Sequence, residues 1–129
     1  MTTDVRNVII IAAGFSESGH IGAALERKVL EIAHSYNVRV LGPNCLGIIR
    51  PDLGLNATFT KISASPGNLG LVSQSGAMCS AVLDWAKANQ VGFSSVISLG
   101  MTADIDFGEI LDYLIYDSKT HYILMYVEG

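Results

Sequence analysis

The sequence has few cysteines, few charged residues and no long apolar run, and each shortage excludes a class of protein. Its two cysteines, Cys45 and Cys79, lie far apart, so a cysteine-based metal cluster is not expected. No run approaches the ~18 consecutive apolar residues of a membrane-spanning helix, and the first residues do not form a signal peptide. We therefore expect a reduced, cytoplasmic protein with no membrane partner.

Positive charge is also scarce. Eight lysines and arginines face 12 aspartates and glutamates, and the net charge of −4 argues against a nucleic-acid partner. The three histidines, His20, His34 and His121, fit no metal-ligand spacing, so no metal site is expected. Half of the residues are hydrophobic, which is enough for a chain of 129 residues to fold as one modest domain or two half-domains.

The hydrophobic pattern predicts an open α/β fold with parallel sheets in two parts. A continuous apolar run at 8–12 predicts a strand buried on both faces, and a helix over about 20–35 and a strand at 38–41 complete a βαβ unit. Residues 42–66 are rich in turn formers and mostly irregular, although short strands around 48–49 and 58–59 remain an alternative. The second part follows with these predicted elements: strand and helix over 69–89, strand 94–99, a helix after Asp106, and strand 122–127.

A two-strand βαβ unit does not make a whole Rossmann domain. We therefore expect the chain to be a piece of a larger protein, with open sheet edges that could support homo-oligomers.

The residues from Gly70 to Trp85 are the stretch around which the rest is organised. A short apolar strand turns through Ser73, Ser75 and Gly76 into a helix whose apolar residues 77, 78, 81, 82 and 85 have helical spacing. Ser73 or Ser75 can cap this helix, and the free N–H groups of its first turn could bind a phosphate. An ordinary serine-capped turn is the alternative, and the stretch lacks the Walker lysine and the GxGxxG pattern of standard nucleotide loops.

Three other candidate residues have two interpretations each. Cys45 could be a reactive thiol or a small buried residue, and no His/Asp pair lies nearby in sequence to make it a nucleophile. Asp104 and Asp106 could hold Mg²⁺ or cap the following helix, where Asp106 has capping-box spacing with Glu109.

Five sequence blocks together resemble the α-part of the succinyl-CoA synthetase superfamily, and especially the ADP-forming acyl-CoA synthetases. The blocks are Gly42–Ile49, Gly70–Gly76, Ser98–Asp106, Leu111–Thr120 and Tyr126–Gly129. The resemblance covers about residue 8 to the end.

The resemblance implies two partial domains. Residues 1–66 would be the C-terminal half of a Rossmann-like CoA-binding domain, and residues 67–129 the first part of a flavodoxin-like ligase domain. It also implies the reaction acyl-CoA + ADP + phosphate ⇌ acid + ATP + CoA, through an acyl phosphate and a phosphohistidine. ADP or ATP with Mg²⁺ would bind an ATP-grasp part or subunit outside this chain.

The resemblance assigns roles residue by residue. Pro43, Asn44 and Cys45 match the turn near the thiol of CoA or acyl-CoA, and Glu128 matches the catalytic glutamate that orients the phosphorylated histidine. The helix start that holds the phosphoryl group is matched by Ser73, Gln74, Ser75, Gly76 and Ala77. None of the three histidines is at the position of the phosphorylated one, which would lie beyond Gly129, so the chain alone is not expected to turn over.

The same two domains also occur fused to a GNAT domain in protein lysine acetyltransferases. There they resemble an acyl-CoA-sensing regulatory region. The segments 83–86, 104–114 and 117–120 fit that group as well, so the sequence leaves the two functions open.

Overall fold

The computed structural model describes residues 4–129 and has the expected α/β architecture. Short 3-10 turns lie at Ser16–Ser18 and Pro51–Leu53. Among residues 4–129, none of the helices has the length and hydrophobicity of a membrane span. The regular elements are β1 (Asn7–Ile9), α1 (His20–Ser35), β2 (Arg39–Leu41), β3 (Gly47–Arg50), β4 (Leu55–Thr58), β5 (Pro66–Ser73), α2 (Gly76–Ala88), β6 (Phe93–Ser98), α3 (Phe107–Tyr116) and β7 (Tyr122–Tyr126).

The first sheet contains β1 and β2, which pair in parallel with Val8 opposite Val40. The prediction that the first strand is buried on both faces is wrong, because Val8 is 38% exposed and Ile11 is 45% exposed. β1 has one neighbouring strand within residues 4–129, so its apolar side chains are incompletely covered. Within the described residues, an apolar run of this kind therefore does not mean that the strand is buried on both faces.

The second sheet has five strands in the order β4-β3-β6-β5-β7. β5 lies parallel to both β6 and β7, as the pattern predicts. β3 instead runs antiparallel to β4 and to β6, so the second sheet is mixed. The chain reverses between β3 and β4 through the 3-10 turn at Pro51–Leu53 and through Gly54, whose φ of +64° suits a glycine.

The β3–β4 hairpin gives order to the stretch 42–66, where short strands were one alternative. It lies before the predicted domain boundary at 66/67, yet it is hydrogen-bonded to β6 beyond that boundary. The division of the chain into domains 1–66 and 67–129 stays a prediction, and one continuous sheet crosses it.

The main core lies between α2 and one face of the five-stranded sheet. Cys79, Leu83 and Ala86 of α2 pack against Leu71 and Phe93 of the sheet. The apolar stripe predicted for this helix is mostly on its other side, where Trp85 is 59% exposed. On the opposite sheet face, Leu114 of α3 belongs to a second buried cluster, with Leu41, Val72, Ile97 and Leu99.

Candidate functional site

Three predicted segments meet at one edge of the five-stranded sheet. The parallel strands β5, β6 and β7 end there, and the antiparallel β3 begins there, with Ile48 opposite Ile97. The N–H of Leu46 donates to the buried Ser98 Oγ at 2.9 Å, which fixes the turn before β3 to the end of β6. The N–H of Gln74 donates to the carbonyl oxygen of Tyr126 at 3.1 Å, which joins the ends of β5 and β7. Ligands bind at this edge in open α/β sheets.

The start of α2 is held by two serines with different tasks. Of the two serines predicted as possible caps, Ser75 is the N-cap, and its Oγ accepts from the N–H of Met78 at 3.2 Å. Ser73 is fully buried, and its Oγ accepts from the N–H of Ser75 at 3.0 Å and donates to the Ser75 carbonyl oxygen at 2.9 Å. Both hydroxyls are therefore engaged in shaping the turn.

Two backbone donors of α2 are left without a protein acceptor. Within residues 4–129, the N–H groups of Gly76 and Ala77 make no hydrogen bond, whereas that of Cys79 donates to the Ser75 carbonyl oxygen at 3.1 Å. Gly76 is half-buried and Ala77 is exposed. The start of α2 also carries no acidic residue in its first turn. The partial positive charge of this helix start therefore meets no carboxylate within the first turn of α2.

The residues that carry these two donors line a cavity of about 300 Å³. Gly76 and Ala77 line it together with Asn44 and Cys45. The remaining lining residues are Ile11, Leu46, Phe59, Thr60 and Ser80. The structure thus places part of the predicted phosphate segment (residues 73–77) and part of the predicted CoA turn (residues 43–45) around one cavity. The lining of that space does not include Pro43, Ser73, Gln74, Ser75 or Glu128.

The turn that contains Asn44 is fixed by the loop after β6. The carbonyl oxygens of Gly42 and Pro43 accept from the N–H groups of Ala103 at 3.1 Å and Met101 at 2.9 Å. Gly100 has φ +59°, and a Cβ there would lie 2.2 Å from the Pro43 carbonyl oxygen, so the two loops approach as closely as backbones can. The exposed Asn44 at the tip is therefore held in a defined place.

Cys45 has the surroundings of a packed core residue. Its side chain is buried, and its Sγ lies 3.5 Å from the carbonyl oxygen of Ile10. Burial raises the pKa of the Cys45 thiol, and a thiol that stays protonated is a poor nucleophile. The same cause raises the pKa of Cys79 to about 11. Of the two interpretations of Cys45, the structure favours the small buried residue.

Asp104 has a role that the sequence analysis missed. Its side chain is only 8% exposed, and it accepts from Nε and Nη2 of Arg39 at 3.1 and 3.0 Å and from the N–H of Val40 at 2.8 Å. His34 Nε2 lies 3.2 Å from the same carboxylate. The interpretation of Asp104 as a helix cap is wrong, because Asp106 caps α3 by accepting from the N–H of Glu109 at 3.0 Å.

Burial on its own would raise the pKa of Asp104. The hydrogen bonds from Arg39, from the Val40 N–H and from His34 outweigh that effect and hold the pKa below its usual range. The charged carboxylate of Asp104 therefore joins α1 and β2 to the loop before α3. No sequence signal could have revealed the pair, because Arg39 lies 65 residues away from Asp104.

Glu128 lies beside the phosphate segment through its backbone. Its N–H donates to Oε1 of Gln74 at 2.6 Å, while its own side chain is exposed. Of the three histidines, His34 contacts Asp104, and none of the three lines the cavity.

Comparisons with known proteins agree with this architecture. Residues 66–129 match the model of the succinyl-CoA ligase-like flavodoxin domain. The chain is 48% identical over 126 residues to an ADP-forming acetate–CoA ligase I of Archaeoglobus fulgidus, covering 98% of this chain and 18% of the relative. It is 42% identical over 125 residues to the α subunit of the ADP-forming acetate–CoA ligase II of Pyrococcus furiosus, covering 97% of this chain and 27% of that subunit.

A solved structure shows the same likeness in three dimensions. The dinucleotide-forming acetyl-coenzyme A synthetase 1 of Candidatus Korarchaeum cryptofilum, in complex with phosphate and ADP, superposes with a TM-score of 0.91 at 38% identity. The alignment covers 97% of this chain and 26% of the synthetase chain. This chain therefore spans about a fifth to a quarter of the length of its relatives, and it belongs to the succinyl-CoA ligase-like superfamily that includes the ADP-forming acyl-CoA synthetases.

Proposed function

We propose that this chain supplies the phosphate-binding helix and the CoA turn of an ADP-forming acid–CoA ligase. The observation that carries the proposal is that Gly76 and Ala77, whose N–H groups have no acceptor within residues 4–129, line a cavity of about 300 Å³ together with Asn44 and Cys45. Phosphate and the thioester of acyl-CoA must meet for the acyl group to move between them. One cavity shared by the two segments provides such a meeting place.

The anion preference follows from charge. The first N–H groups of α2 carry its partial positive charge, and no carboxylate of the first turn competes for them. The cavity also has room for a tetrahedral oxyanion, since ligand pockets start at volumes of this order. The donors are fixed in advance by the Ser73 and Ser75 hydrogen bonds, so they need little reorganisation when charge develops.

The proposed reaction assigns each segment a task. A phosphate oxygen attacks the acyl carbon of the thioester, the carbon–sulfur bond breaks, and the CoA thiolate leaves. Gly76 and Ala77 would hold the phosphate, with Ser73 and Ser75 shaping the turn and Gln74 beside it. Asn44 would contact CoA near its thiol, and Pro43 and Cys45 would fix the turn that presents it. Glu128 would orient the histidine that carries the phosphoryl group onward.

The remaining steps need other parts of the enzyme. The chain covers 18–27% of the ligases and ligase subunits compared above, one of which is an α subunit of a multi-subunit enzyme. We propose that ADP with Mg²⁺ and the phosphorylated histidine are supplied by those other parts, so the chain alone would bind phosphate without turnover. The acetyltransferase-linked regulatory function stays a hypothesis that no observation favours, since the three relatives described above are ligases or synthetases.

The proposal is tested by titrating the ¹⁵N-labelled 129-residue chain with inorganic phosphate. We expect saturable shifts of the Gly76 and Ala77 amide resonances. The amides of Phe107 and Gly108, at the start of α3, serve as the internal control and should not move, because Asp106 and Glu109 already neutralise that helix end. Sodium chloride at matched ionic strength should produce no saturable shift. If phosphate moves the two helix starts equally, or neither of them, the assignment of the anion site fails.

A further inference from the structure

We propose that Gln74 is a positioning residue. Its side-chain carbonyl oxygen holds Glu128 beside the phosphate segment, and the NH₂ of the same carboxamide stays available to the bound anion. The role given to Glu128 rests on the proposed function. The Gln74–Glu128 contact itself does not.

The contact extends the sheet beyond its last regular pair. β7 is one of the two edge strands of the five-stranded sheet, and its final pair joins Ser73 to Tyr126. One residue on, the N–H of Gln74 still donates to the Tyr126 carbonyl oxygen at 3.1 Å. After that, main-chain pairing stops, and the N–H of Glu128 donates instead to Oε1 of Gln74 at 2.6 Å.

The Gln74 carboxamide is the hydrogen-bond partner found for the Glu128 backbone within residues 4–129. Without it, the residues after Tyr126 would have no hydrogen bond to the rest of the described part of the chain. The exposed position of Glu128 makes such a hold necessary, since burial does not restrain it.

The chemistry of the pair fixes which end of the carboxamide faces Glu128. A backbone N–H can only donate, so the atom that meets it must be the oxygen, and the amide orientation is settled by its partner. The Nε2 group of Gln74 then has no acceptor within residues 4–129. The hydroxyls of Ser73 and Ser75 are engaged in the turn, so Gln74 is the side chain between them that keeps a spare donor.

This double task explains why glutamine suits position 74. Glutamate would keep the acceptor for Glu128 but would remove the donor and place a negative charge next to the anion. Methionine would have similar length and neither polar group. These two substitutions therefore separate the two halves of the proposal.

The first experiment measures hydrogen exchange of the Glu128 amide in the phosphate-free chain. We expect protection in the wild type, a loss of about tenfold or more in Gln74→Met, and recovery of most of it in Gln74→Glu, which retains the acceptor. The amide of Leu71, in the central strand β5, reports global opening and should stay equally protected in all three. If Glu128 exchanges as fast in the wild type as in Gln74→Met, the proposal is overturned.

The second experiment separates this inference from the proposed function. Phosphate titrations of the same variants should show weaker binding in both, and the larger loss in Gln74→Glu because of its added charge. Should wild-type Glu128 be protected while phosphate moves no resonance at Gly76 or Ala77, the positioning contact stands and the proposed function fails. Should phosphate bind Gln74→Glu as tightly as the wild type, the spare-donor half of the inference is wrong.

Discussion

The starts of α2 and α3 are both helix N-termini, but they differ in the charge of the residues around them. α3 begins at a charged cap, Asp106, and carries Glu109 in its first turn, where Glu109 also pairs with Arg39 at 2.7 Å. α2 begins at the neutral cap Ser75 and has no acidic residue in its first turn. Acidic residues at the cap and in the first turn thus face the positive end of α3, whereas the cap and first turn of α2 contain none.

The difference extends to the surroundings of the two helix starts. The loop before α3 is joined to β2 through Asp104, which accepts from Arg39 and from the Val40 N–H. The start of α2 faces the cavity that Asn44 lines. The proposed anion site at α2 therefore differs from the start of α3 in having a neutral cap and no carboxylate in the first turn of its helix. Four pairs of substitutions test this contrast.

The largest effect is expected at the α3 side, where charge stabilises the fold. Asp104→Asn should lower the free energy of unfolding by about 2 kcal/mol, because a buried charged acceptor of several hydrogen bonds is lost. The matched control is Asp106→Asn, which keeps a good cap and should change stability by less than about 0.5 kcal/mol. Urea unfolding at pH 7 measures both. The phosphate shifts at Gly76 and Ala77 should survive in both variants.

The contribution of Asp104 has a defined pH dependence. Its pKa is lower in the folded chain than in the unfolded chain, so the stabilisation is present above about pH 4 and is lost as the pH falls through the lowered value. Asp104→Asn should therefore lose less stability than the wild type on acidification. Equal losses in wild type and variant on acidification would show that Asp104 does not titrate in this way.

A second change turns the start of α2 into a copy of the start of α3. Ser75→Asp should lower the phosphate affinity about tenfold, equivalent to about 1.4 kcal/mol, because the new carboxylate occupies the positive end of the helix. The melting temperature should stay the same or rise, since Asp caps as well as Ser. Ser75→Asn, which caps without charge, should bind phosphate within about twofold of the wild type. Equal phosphate affinities in the Asp and Asn variants would break the comparison.

A third pair of changes removes the caps. Ser75→Ala and Asp106→Ala should each lower the free energy of unfolding by about 1 kcal/mol, the usual effect of losing an N-cap. Phosphate binding should persist in Ser75→Ala, because the N–H groups of Gly76 and Ala77 do not depend on the Ser75 hydroxyl for a partner. Thermal unfolding and the phosphate titration measure the two effects. A complete loss of binding in Ser75→Ala would assign the hydroxyl itself to the anion.

The smallest effect is expected from a methyl group. In Gly76→Ala the new Cβ would lie 3.6 Å from the Leu46 Cβ, an ordinary contact, so stability should be retained while phosphate binds a few-fold more weakly in the narrowed cavity. In Gly108→Ala the Cβ would lie 3.2 Å from Oδ1 of Asp106 and should disturb the α3 cap without affecting phosphate. Calorimetry of both variants with and without phosphate distinguishes these outcomes.

The elements that the sequence predicted well are those whose signals are local. The helices, the parallel strands β5, β6 and β7 and the Ser75 cap follow from periodicity and capping chemistry within a few residues. β3 was harder, because it has four residues and its partner β6 begins more than 40 residues later. The apolar stripe predicted for α2 was misjudged, since Leu83 and Ala86 face the sheet and the large Trp85 does not.

The candidate site was predictable as a set of segments but not as a shape. The resemblance named both sides of the cavity, and sheet topology explains why they meet at one edge. The Asp104–Arg39 pair and the Gln74–Glu128 contact join residues 65 and 54 positions apart. Such pairs depend on how distant segments are placed in space, which no local pattern records.

The β3–β4 hairpin lies outside the segment matched by the family model, yet it belongs to the same sheet as that segment. A gene trimmed to the family match would begin at Pro66 and would encode neither strand of the hairpin. Leu46 and Ile49 would be lost from the main core with it, and the open flank of β6 would meet solvent along Val96 and Ile97. Anyone who transplants the segment 66–129 into another protein must therefore carry about twenty preceding residues along with it.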